Sequence, residues 1–584
     1  MSADGEIRGM DEGLYRMRHS AAHMMAKAVV DLFPDARIAI GPPVEHGFYY
    51  DFDLPRSLTP EDLAVLEANM REQMQQDWPF VHSEISKAEA DERFKDQPYK
   101  LEIIAGIPDA HVGLYTHGPF TDLCGGPHVE STGKIGAFKL TTVAGAYWRG
   151  DAARPMLQRV YGVCFPTQQE LDAHLAMLEE ARKRDHRRLG RELGLFVFSE
   201  DVGSGIPLFL PHGEILRHEM EAFVREVQTR HGVQHVWTAN VARAELYKKS
   251  GHWEHYRDVM WPPMDDDGDI YVLKPMNCPS HMTLYNSQLH SYRELPLRYA
   301  EFATLYRYEL AGVLSGLTRV RSLTQDDCHI FCTPEQIQEE FARCLSVIGE
   351  VMAAYGFSDN YVQLSLRDRT GGKYIQDDEK WQQAEDALRI ALDTAGVAYR
   401  PVEGEAAFYG PKADFMAKDA LGREWQLSTI QVDFMQPGRL GCTYIGEDGA
   451  EHTPVMLHRA VMGSTERFLG VLIEHTAGAF PTWLAPVQAQ IVPIADRHFD
   501  YARIVQRRLR DAGIRADVDD RSERMNAKIR HAQMLKIPYM LVVGDKEIEA
   551  DAASVRLRNG ENLGPLPLAE IVARLSEEIA SRRA

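Results

Sequence analysis

The stretch 301–332 constrains the fold most, because its sequence predicts a strand, a loop and a second strand. Gln325, Asp327 and His329 alternate along the second strand, and residues two apart share one face of an extended chain. Arg307 stands between the first strand and the loop. A guanidinium therefore faces a carboxylate and an imidazole across a hairpin. This arrangement predicts a site for a phosphate-bearing ligand, with a metal ion as a further option.

Each part of this pattern also has an ordinary structural explanation. One Arg beside one Glu is usually a surface ion pair, and one His near an Asp is usually a hydrogen-bonded core residue. These explanations lose weight when the residues occur together in a segment that closes on the apolar run His-Ile-Phe. We therefore interpret the stretch as part of a ligand site.

Several motifs around the hairpin resemble those of one enzyme family. Residues 306–309 read YRYE, and GVLSGLTRVR and TQDDCHIF follow them. The further segments are KPMNCPSHM at 274–282, FYGPKADF at 408–415, WQLSTIQVDF at 425–434 and HRAVMGSTERF at 458–468. In this order they resemble class II aminoacyl-tRNA synthetases, in the form found in threonyl-tRNA synthetases. The resemblance runs from about residue 10 to the C-terminus.

The resemblance implies a multidomain α/β and α+β protein, and a chain of 584 residues should indeed form several domains. The predicted parts are an α+β editing domain at 1–170, a helical linker at 171–188, a class II catalytic domain with an antiparallel sheet at 189–482 and a C-terminal α/β anticodon-binding domain at 483–584. From 483 onward, strand patterns alternate with helices, which predicts a mostly parallel sheet. The small ubiquitin-like N-terminal domain of many relatives is expected to be missing.

Composition adds limits on the environment of the protein. Seven cysteines in a chain of this length do not suggest a disulfide framework, so we expect a reducing compartment. No run approaches the roughly 18 apolar residues of a membrane span, and the N-terminus is acidic and polar. We therefore expect a cytoplasmic protein without a membrane partner.

The formal net charge of −21 argues against wholesale wrapping by nucleic acid, but one basic run stands out. Residues 182–191 contain six Lys and Arg side chains on a predicted helix that has no breaker before Gly190. A solvated helix face explains this run, and so does a contact with the backbone of a tRNA.

The family match implies roles for the charged residues around the hairpin. An enzyme of this kind joins L-threonine to tRNA-Thr through a threonyl-adenylate made from ATP with Mg²⁺, so catalysis rests on positioning and charge stabilisation. Arg307 would hold the α-phosphate and the amino acid carboxylate, and Glu309 would bind the adenine. Arg467 would hold the γ-phosphate with help from Arg319. The match assigns further substrate contacts to Met276, Gln431 and Ser464.

The amino acid pocket implied by the match contains one zinc ion per chain. Cys278, His329 and His458 stand at the positions that ligate zinc in threonyl-tRNA synthetases. Three protein ligands leave an open coordination position, to which threonine can bring its amino group and its hydroxyl. An apolar pocket alone would separate threonine from isosteric valine by only about 10². Taken singly, a buried thiol or a core histidine is the commoner explanation. The remaining pocket residues by family match are Gln325, Asp327, Tyr409, Lys412 and Gln426, among which Asp327 would orient the substrate hydroxyl.

A second cluster lies near the N-terminus. His19 and His23 are four residues apart on one face of a predicted helix, and Cys124 and His128 add a thiol and a third imidazole. Spacing alone makes this a zinc site. A purely structural cluster is the remaining option.

The family match assigns the same cluster to hydrolysis. Zinc cannot reject serine, which lacks only a methyl group worth about 1–3 kcal/mol, so a second site must remove misacylated products. Residues 10–170 resemble the editing domain shared with alanyl-tRNA synthetases, in which the cluster works on water without a metal. His19 would act as the base, Lys100 and Asp122 would position the seryl ester, and Cys124 would shape the pocket.

The C-terminal segment resembles the anticodon-binding domain of this synthetase class. Unstacked bases offer edges for hydrogen bonds and faces for arginine stacking. The residues implied are Arg524, Arg530, Glu547 and Arg556, although a lone Arg on a helix is most often simply solvated. The match also implies a homodimer.

Some positions depart from the family pattern. They are Ala239, Ser280, Ala311, Ser428 and Gln436, where proline, glycine, serine, glycine and an apolar residue are usual. None of them removes a catalytic group, but they leave open a specialised form that tolerates an inhibitor of the pocket.

Two rival interpretations are a non-catalytic RNA-binding paralogue and a prolyl or seryl synthetase, and the Cys-His-His trio argues against both.

Overall fold

The structure, a computed structural model, describes residues 10–151, 153–369 and 372–583. The first nine residues of the predicted editing domain and the last residue of the chain lie outside this description. The chain divides into two compact units, residues 1–179 and 180–584. No helix within the described ranges is long and apolar enough to cross a membrane.

The first unit combines helices with two sheets. Its elements are α1 (Glu12–Leu32), β1 (Arg37–Ile38), β2 (Pro43–Val44), β3 (Gly47–Asp53), α2 (Pro60–Gln76), β4 (Val81–Ser86), α3 (Lys87–Arg93), α4 (Pro98–Gly106), β5 (His111–His117), β6 (Phe120–Leu123), β7 (Ala137–Tyr147), β8 (Met156–Phe165) and α5 (Gln168–Arg184), which runs past the boundary. One sheet has the order β1-β3-β8-β7 with β2 on β3, and the other has the order β4-β5-β6.

Local sequence explains the two long helices of this unit. The Asp11 carboxylate accepts hydrogen bonds from Gly13 N and Leu14 N and so caps α1. Thr59 and Asp62 form a capping box at the start of α2. Alanine and methionine side chains along α1 pack on the larger sheet, which places this helix in the core of the unit.

The second unit contains the hairpin and the other family motifs. Its elements up to the end of the central section are α6 (His186–Glu192), β9 (Phe196–Val197), β10 (Leu208–Phe209), α7 (Pro211–Arg230), β11 (Gln234–His235), β12 (Val241–Arg243), α8 (Ala244–Ser250), α9 (His252–His255), β13 (Met264–Asp266), β14 (Asp269–Leu273), α10 (Cys278–Tyr285), β15 (Leu297–Tyr306), β16 (Ser322–Cys332), α11 (Ile337–Ala354), β17 (Asn360–Leu366), α12 (Asp378–Thr394), β18 (Tyr399–Glu403), β19 (Lys412–Lys418), β20 (Glu424–Asp433), α13 (Gln436–Arg439), β21 (Tyr444–Ile445), β22 (Glu451–His452), β23 (Val455–Ala460) and α14 (Thr465–Thr476).

A large sheet organises this section in the order β11-β15-β16-β23-β20-β19-β17-β18. Its pairs are antiparallel except for the two at its edges, β11 with β15 and β17 with β18. The predicted strand-loop-strand is confirmed as β15 and β16, which pair from Leu297 to Tyr306. Apolar side chains of α7, α11, α12 and α14 pack with the sheet in one core.

The C-terminal section departs from the prediction in its sheet. Its elements are β24 (Ala489–Pro493), α15 (Phe499–Asp511), β25 (Ala516–Val518), α16 (Met525–Met534), β26 (Tyr539–Val543), α17 (Asp545–Glu549), β27 (Ala552–Leu557), β28 (Asn562–Pro567) and α18 (Leu568–Ser581). The three predicted strands are parallel, but β27 and β28 add an antiparallel edge. The sheet is therefore mixed. The short turn through Gly560 joins β27 and β28, which the alternation of strands and helices in the sequence did not predict.

The basic run is not one helix. α5 ends at Arg184, and the Asp185 side chain accepts a hydrogen bond from Arg187 N to begin α6, which continues through Gly190. The expectation of a single helix up to Gly190 was wrong, because Asp185 acts as an N-cap. Arg184, Arg187 and Arg188 form ion pairs with neighbouring carboxylates.

Candidate functional site

Strand register aligns several predicted site residues in one row across the large sheet. His329 on β16 is paired with His458 on β23, His458 with Gln431 on β20, and Gln431 with Lys412 on β19. Directly opposed residues in neighbouring strands point to the same face of a sheet. The register therefore brings together side chains that are up to 129 positions apart, as His329 and His458 are.

Cys278, at the first residue of α10, completes a group of three potential metal ligands. One ligand atom from each of Cys278, His329 and His458 lies within 4.8 Å of the others, and all three residues are buried. A thiolate and two imidazoles are ligands that zinc prefers, and such a spacing allows them to converge on one ion. Burial raises the pKa of the Cys278 thiol well above its usual range. The donor set fits a zinc ion, which would take the sulfur as a thiolate.

Further residues hold the ligands in place, and sequence reasoning missed them. Asp433 Oδ2 lies 3.0 Å from His458 Nε2, and His281 Nδ1 lies 2.8 Å from His329 Nδ1. His252 Nε2 lies 3.5 Å from Cys278 Sγ. Asp433 and His281 stand inside quoted motifs, at a buried strand end and three residues after Cys278, which is the signal that was available.

Asp327 lies beside the ligand group, as the alternation along β16 predicts. Its Oδ1 is 3.7 Å from His329 Nε2. Burial is the main reason that the pKa of Asp327 rises to about 7. A carboxyl group with such a pKa is able to donate or accept a hydrogen bond near neutral pH. Gln325, two residues earlier, forms an isolated backbone bridge with Ser464.

The other predicted pocket residues are tied to one another. The Tyr409 ring stacks on His458 with centroids 4.7 Å apart, and its hydroxyl donates to Gln431 Oε1 at 2.5 Å. Lys412 Nζ lies 2.9 Å from Asp414 Oδ2, and Gln426 Nε2 donates to Asp414 Oδ1 at 2.7 Å. Asp414 is a second carboxylate that sequence reasoning did not single out.

Two arginines lie near this pocket with part of their hydrogen-bonding capacity unused. Nε of Arg307 and Nε of Arg467 are buried and have no hydrogen-bond partner among the described residues. Burial, followed by the charge of Arg319, lowers the pKa of Arg467. Arg307 Nη2 lies 3.5 Å from Met276 Sδ. Buried guanidinium donors without partners are suited to an anionic ligand.

The predicted ATP contacts Glu309 and Arg319 form an ion pair. Arg319 Nη2 lies 2.9 Å from Glu309 Oε2, and the Arg319 side chain is half exposed. The structure therefore brings these two residues together at the loop of the hairpin. Ser464 caps α14 by accepting a hydrogen bond from Arg467 N, so it fixes the helix that carries this arginine.

The first unit has its own cluster, as predicted. Cys124 Sγ lies 3.4 Å from His19 Nε2 and 3.3 Å from His128 Nε2, and His23 lies one turn from His19 on α1. The other ring nitrogens of two of these histidines contact protein atoms: His19 Nδ1 is 3.2 Å from Pro127 O, and His128 Nδ1 is 3.0 Å from a serine hydroxyl. His23 Nδ1 is buried and has no hydrogen-bond partner among the described residues. These four residues also satisfy the spacing of a metal site, with ligand atoms within 4.8 Å of one another.

Lys100 and Asp122 form a buried ion pair next to this cluster. Lys100 Nζ lies 2.7 Å from Asp122 Oδ1. Tyr50 joins them, because its hydroxyl donates to Asp122 Oδ2 at 2.5 Å and lies 2.9 Å from Lys100 Nζ. Sequence reasoning missed Tyr50, which stands on β3.

A cavity of about 700 Å³ adjoins both groups and is lined by His19, Lys100, Asp122 and Cys124 among others. Burial lowers the pKa of His19 to about 4 and raises the pKa of the Cys124 thiol to about 12. His19 is therefore a neutral imidazole and Cys124 a protonated thiol at neutral pH. The cavity can hold a small ester beside a neutral base.

The four predicted anticodon residues lie on α16, α17 and β27 or at their ends. Arg524 precedes α16, Arg530 lies on it, and both are exposed, as is Arg556 on β27. Glu547 is different because its carboxylate accepts hydrogen bonds from Gly544 N and Ser554 Oγ at 3.0 and 2.9 Å. All four residues therefore lie in the C-terminal section of the chain.

Two of the unusual residues are buried, Ser428 on β20 and Gln436 at the first position of α13. Ser428 donates a hydrogen bond to Val461 O. Gln436 is completely buried, and neither its amide nitrogen nor its amide oxygen has a hydrogen-bond partner among the described residues. Gln436 therefore leaves two polar atoms unsatisfied where an apolar residue is usual.

Family models match three parts of the chain. The class II core domain of tRNA synthetases for G, H, P, S and T matches residues 259–476, and an anticodon binding domain matches 488–578. The second additional domain of threonyl and alanyl tRNA synthetases matches 112–161. The predicted fold class is therefore confirmed: a class II synthetase core with an editing-type domain and an anticodon-binding domain.

Two individual relatives indicate which kind of synthetase the chain resembles. A threonine–tRNA ligase of Rubrobacter xylanophilus is 63% identical over 574 residues, covering 98% of this chain and 90% of the relative. A threonine–tRNA ligase of Thermus thermophilus is 52% identical over 97% of this chain and 89% of its own length. The chain belongs to the threonine–tRNA ligase family, and the predicted ligase activity is confirmed at that level.

Solved structures agree with this assignment. The RNA binding domain of threonyl-tRNA synthetase from Cryptosporidium parvum superposes with a TM-score of 0.65 at 38% identity and covers 68% of this chain and 98% of that one. A putative threonyl-tRNA synthetase of Aeropyrum pernix gives a TM-score of 0.60 at 29% identity, covering 69% of this chain and 97% of that one. Both support a synthetase that aminoacylates tRNA.

Proposed function

We propose that the chain attaches L-threonine to tRNA-Thr through a threonyl-adenylate, selects threonine with zinc and hydrolyses seryl-tRNA-Thr in a second site. The observation that carries this proposal is the convergence of Cys278, His329 and His458 beside Asp327. A trio with an open side suits a substrate-binding metal rather than a structural one. Residues 1–170, 171–188, 189–482 and 483–584 are the proposed editing, linker, catalytic and anticodon-binding segments.

Threonine selection rests on the residues around the trio. Cys278, His329 and His458 would hold the zinc ion, which when bound supplies a Lewis-acidic position for the amino and hydroxyl groups of threonine. Asp327, whose Oδ1 lies 3.7 Å from His329 Nε2, would orient the substrate hydroxyl. Valine leaves these polar groups unpaired, and a site built for a hydroxyl rejects such an analogue far more strongly than an apolar pocket does.

Adenylate formation needs charge stabilisation more than proton transfer. Arg307 and Arg467 would hold the phosphates of ATP with Mg²⁺, because each has a buried Nε without a partner among the described residues. Glu309 would bind the adenine, and its ion pair with Arg319 would keep the loop near the nucleotide. Met276, Gln325, Tyr409, Lys412, Gln426, Gln431 and Ser464 complete the proposed substrate contacts.

Hydrolysis of seryl-tRNA would take place in the cavity of the first unit. Neutral His19 takes a proton from water as the water oxygen attacks the ester carbonyl, and the ribose oxygen leaves with a proton. Lys100 and Asp122, joined by Tyr50, position the serine part of the ester. Cys124 shapes the pocket as a thiol, because burial raises its pKa to about 12 and keeps it from acting as a nucleophile.

A metal in this second cluster is the competing proposal. We favour water, because the resemblance to the editing domain of threonyl-tRNA synthetases implies a cluster without a metal; the contacts of Cys124, His19 and His128 fit either proposal. Metal analysis of the purified chain distinguishes the two proposals. About one zinc per chain fits the catalytic trio alone, and about two would support a metal at His19, His23, Cys124 and His128.

Recognition of tRNA would extend beyond the two pockets. Arg524, Arg530 and Arg556 would contact anticodon bases, and Glu547 would do so through the carboxylate that also binds Ser554. We further propose a homodimer. The resemblance to threonyl-tRNA synthetases supports it.

A charging assay tests the whole proposal. The purified chain, supplied with ATP, Mg²⁺, threonine and tRNA-Thr, should produce threonyl-tRNA, and Cys278→Ala should lose discrimination against valine. A folded, zinc-loaded chain that binds tRNA without charging it would support an RNA-binding paralogue instead. Equal inhibition of this chain and an ordinary relative by pocket-directed compounds would exclude the specialised, inhibitor-tolerant form.

A further inference from the structure

A buried imidazole and a buried carboxylate lie behind one of the proposed zinc ligands. His281 on α10 has no exposed surface, and its Nδ1 lies 2.8 Å from His329 Nδ1. The two rings meet edge to face with centroids 4.8 Å apart. The other nitrogen of His281, Nε2, lies 3.4 Å from Oε2 of Glu301 on β15. A line of three side chains therefore connects strand β15 with His329.

Glu301 is held firmly as a charged acceptor. Its carboxylate accepts hydrogen bonds from Thr238 N and Thr238 Oγ1, each at 2.9 Å, and Lys274 Nζ lies 3.9 Å away. Burial alone would raise the pKa of Glu301, but hydrogen bonds from His281 and Thr238 lower it to about 2. A buried carboxylate fixed by backbone and side-chain donors keeps its position when a neighbour changes.

We propose that His281 and Glu301 position His329 for zinc binding, an inference that rests on the zinc site proposed above. His329 Nδ1 faces His281, so Nε2 is the nitrogen left for a metal. A lone pair on Nε2 requires the proton to be on Nδ1, which donates to His281 Nδ1. His281 Nε2–H then donates to Glu301. The pair thus sets both the tautomer and the orientation of the ligand ring.

Asn277 offers His281 a competing contact. Asn277 Nδ2 lies 2.8 Å from His281 Nε2 and also donates to Glu301 at 3.2 Å. A hydrogen bond from Asn277 to His281 Nε2 would place the His281 proton on Nδ1 and the His329 proton on Nε2, which blocks ligation. The charge of Glu301 opposes this arrangement, because hydrogen bonds to a charged partner are about twice as strong as neutral ones.

Variants of His281 separate positioning from simple packing. His281→Phe fills the space without an acceptor for His329, whereas His281→Asn keeps an oxygen where Nδ1 stood. Glu301→Gln removes the charge at nearly constant volume. His290→Phe is the matched control, because His290 is also buried but its Nε2 contacts Tyr285 O, at the end of α10, at 2.8 Å.

The experiment measures zinc dissociation constants of the full-length variants by competition with a chromophoric chelator. We expect His281→Phe and Glu301→Gln to raise the constant by about 10- to 100-fold, the usual effect of losing a residue that orients a metal ligand. His281→Asn should stay within about threefold of the parent, and His290→Phe should match it. The visible spectrum of the cobalt-substituted chain should change in His281→Phe and return in His281→Asn.

The outcomes distinguish a failure of this inference from a failure of the zinc-site proposal on which it rests. If the parent chain binds no zinc, or Cys278→Ala binds it equally well, the zinc site itself is wrong. If the parent binds zinc through Cys278 while His281→Phe and Glu301→Gln keep the parent affinity and cobalt spectrum, the positioning role is wrong and the zinc site stands. Should His281→Phe fail to fold, Glu301→Gln decides the matter alone.

Discussion

At the scale of single residues, burial shifts the pKa of groups in both pockets toward the neutral form. It lowers the pKa of His19 and raises the pKa of Cys124 in the first unit, and it raises the pKa of Asp327 in the second. An imidazole and a thiol are already mostly neutral in water at pH 7, so burial removes only their remaining charged fraction, whereas it leaves the ordinarily ionised Asp327 partly protonated.

The low pKa of His19 predicts how seryl-tRNA hydrolysis depends on pH. A base works when it is unprotonated, and His19 with a pKa of about 4 stays unprotonated above about pH 5. We therefore expect the rate constant for seryl-tRNA hydrolysis to be nearly constant between about pH 6 and 8, measured with preformed ester. A rate that halves near about pH 6.5 would contradict this, since it would report an ordinary histidine.

The role of His19 has a direct mutational test. His19→Ala should leave threonine charging within about twofold of the parent and should reduce seryl-tRNA hydrolysis by about 10²-fold, since a positioned base contributes at least that much. Serine and threonine charging assays with the same tRNA measure both effects. If seryl-tRNA stays as low as in the parent, the first unit has no editing role for His19.

The buried amide of Gln436 predicts a gain in stability on substitution. Gln436→Leu removes two unsatisfied polar atoms from the core and should raise the free energy of unfolding by about 1 kcal/mol. Denaturant unfolding measures the change. Gln228→Leu is the control and should destabilise, because Gln228 is buried but donates to Asp326 at 2.7 Å.

At the scale of elements, the register of four strands builds the proposed catalytic pocket. β16, β23, β20 and β19 align His329, His458, Gln431 and Lys412 in one row. In the linker, by contrast, a single residue divides one continuous sequence pattern. The N-cap at Asp185 ends the basic run as one helix and separates it into α5 and α6. Arg184, Arg187 and Arg188 form ion pairs there, whereas Arg182 and Lys183 are both exposed.

Arg182 and Lys183 decide whether the basic run contacts tRNA. If it does, Arg182→Ala and Lys183→Ala should each weaken tRNA binding and reduce the slope of log affinity against log salt concentration by about one. Threonine-dependent ATP–pyrophosphate exchange, which needs no tRNA, should be unchanged. Unaltered salt slopes in both variants would leave the run as a solvated helix face.

At the scale of the whole molecule, the two proposed chemical tasks fall in two compact units. Unit 1 holds the cavity with the His and Cys cluster, and unit 2 holds the large sheet, the Cys278, His329 and His458 trio and the anticodon-binding section. Each pocket lies within one unit. Removing zinc should therefore affect threonine selection and leave seryl-tRNA hydrolysis intact.

This separation predicts the result of chelation on the intact chain. Zinc-free protein should lose threonine activation by at least about 10²-fold and should unfold at a lower temperature, because a ligand that binds only the folded state stabilises it. Hydrolysis of preformed seryl-tRNA should stay within about twofold of the untreated chain, and added zinc should restore activation. Loss of hydrolysis on chelation would point to a metal in the first unit.

Sequence by itself determined the family, the three family segments, the hairpin and the helix that carries His19 and His23. These follow from local rules: alternation along β16, a four-residue spacing on α1, and motifs of several adjacent residues. The cap of α2 at Thr59 belongs with them. Such features depend on neighbours in the chain, so the chain order is enough to predict them.

Tertiary structure alone decided which distant residues meet and in what chemical state. Asp433, His281 and Glu301 gain their roles from contacts with His458 and His329 across the fold. Tyr50 joins Lys100 and Asp122 in the same way. The antiparallel edge of β27 and β28 also came only from the structure. The physical reason is that strand register and burial depend on the whole fold, and both hydrogen-bond geometry and pKa follow from them.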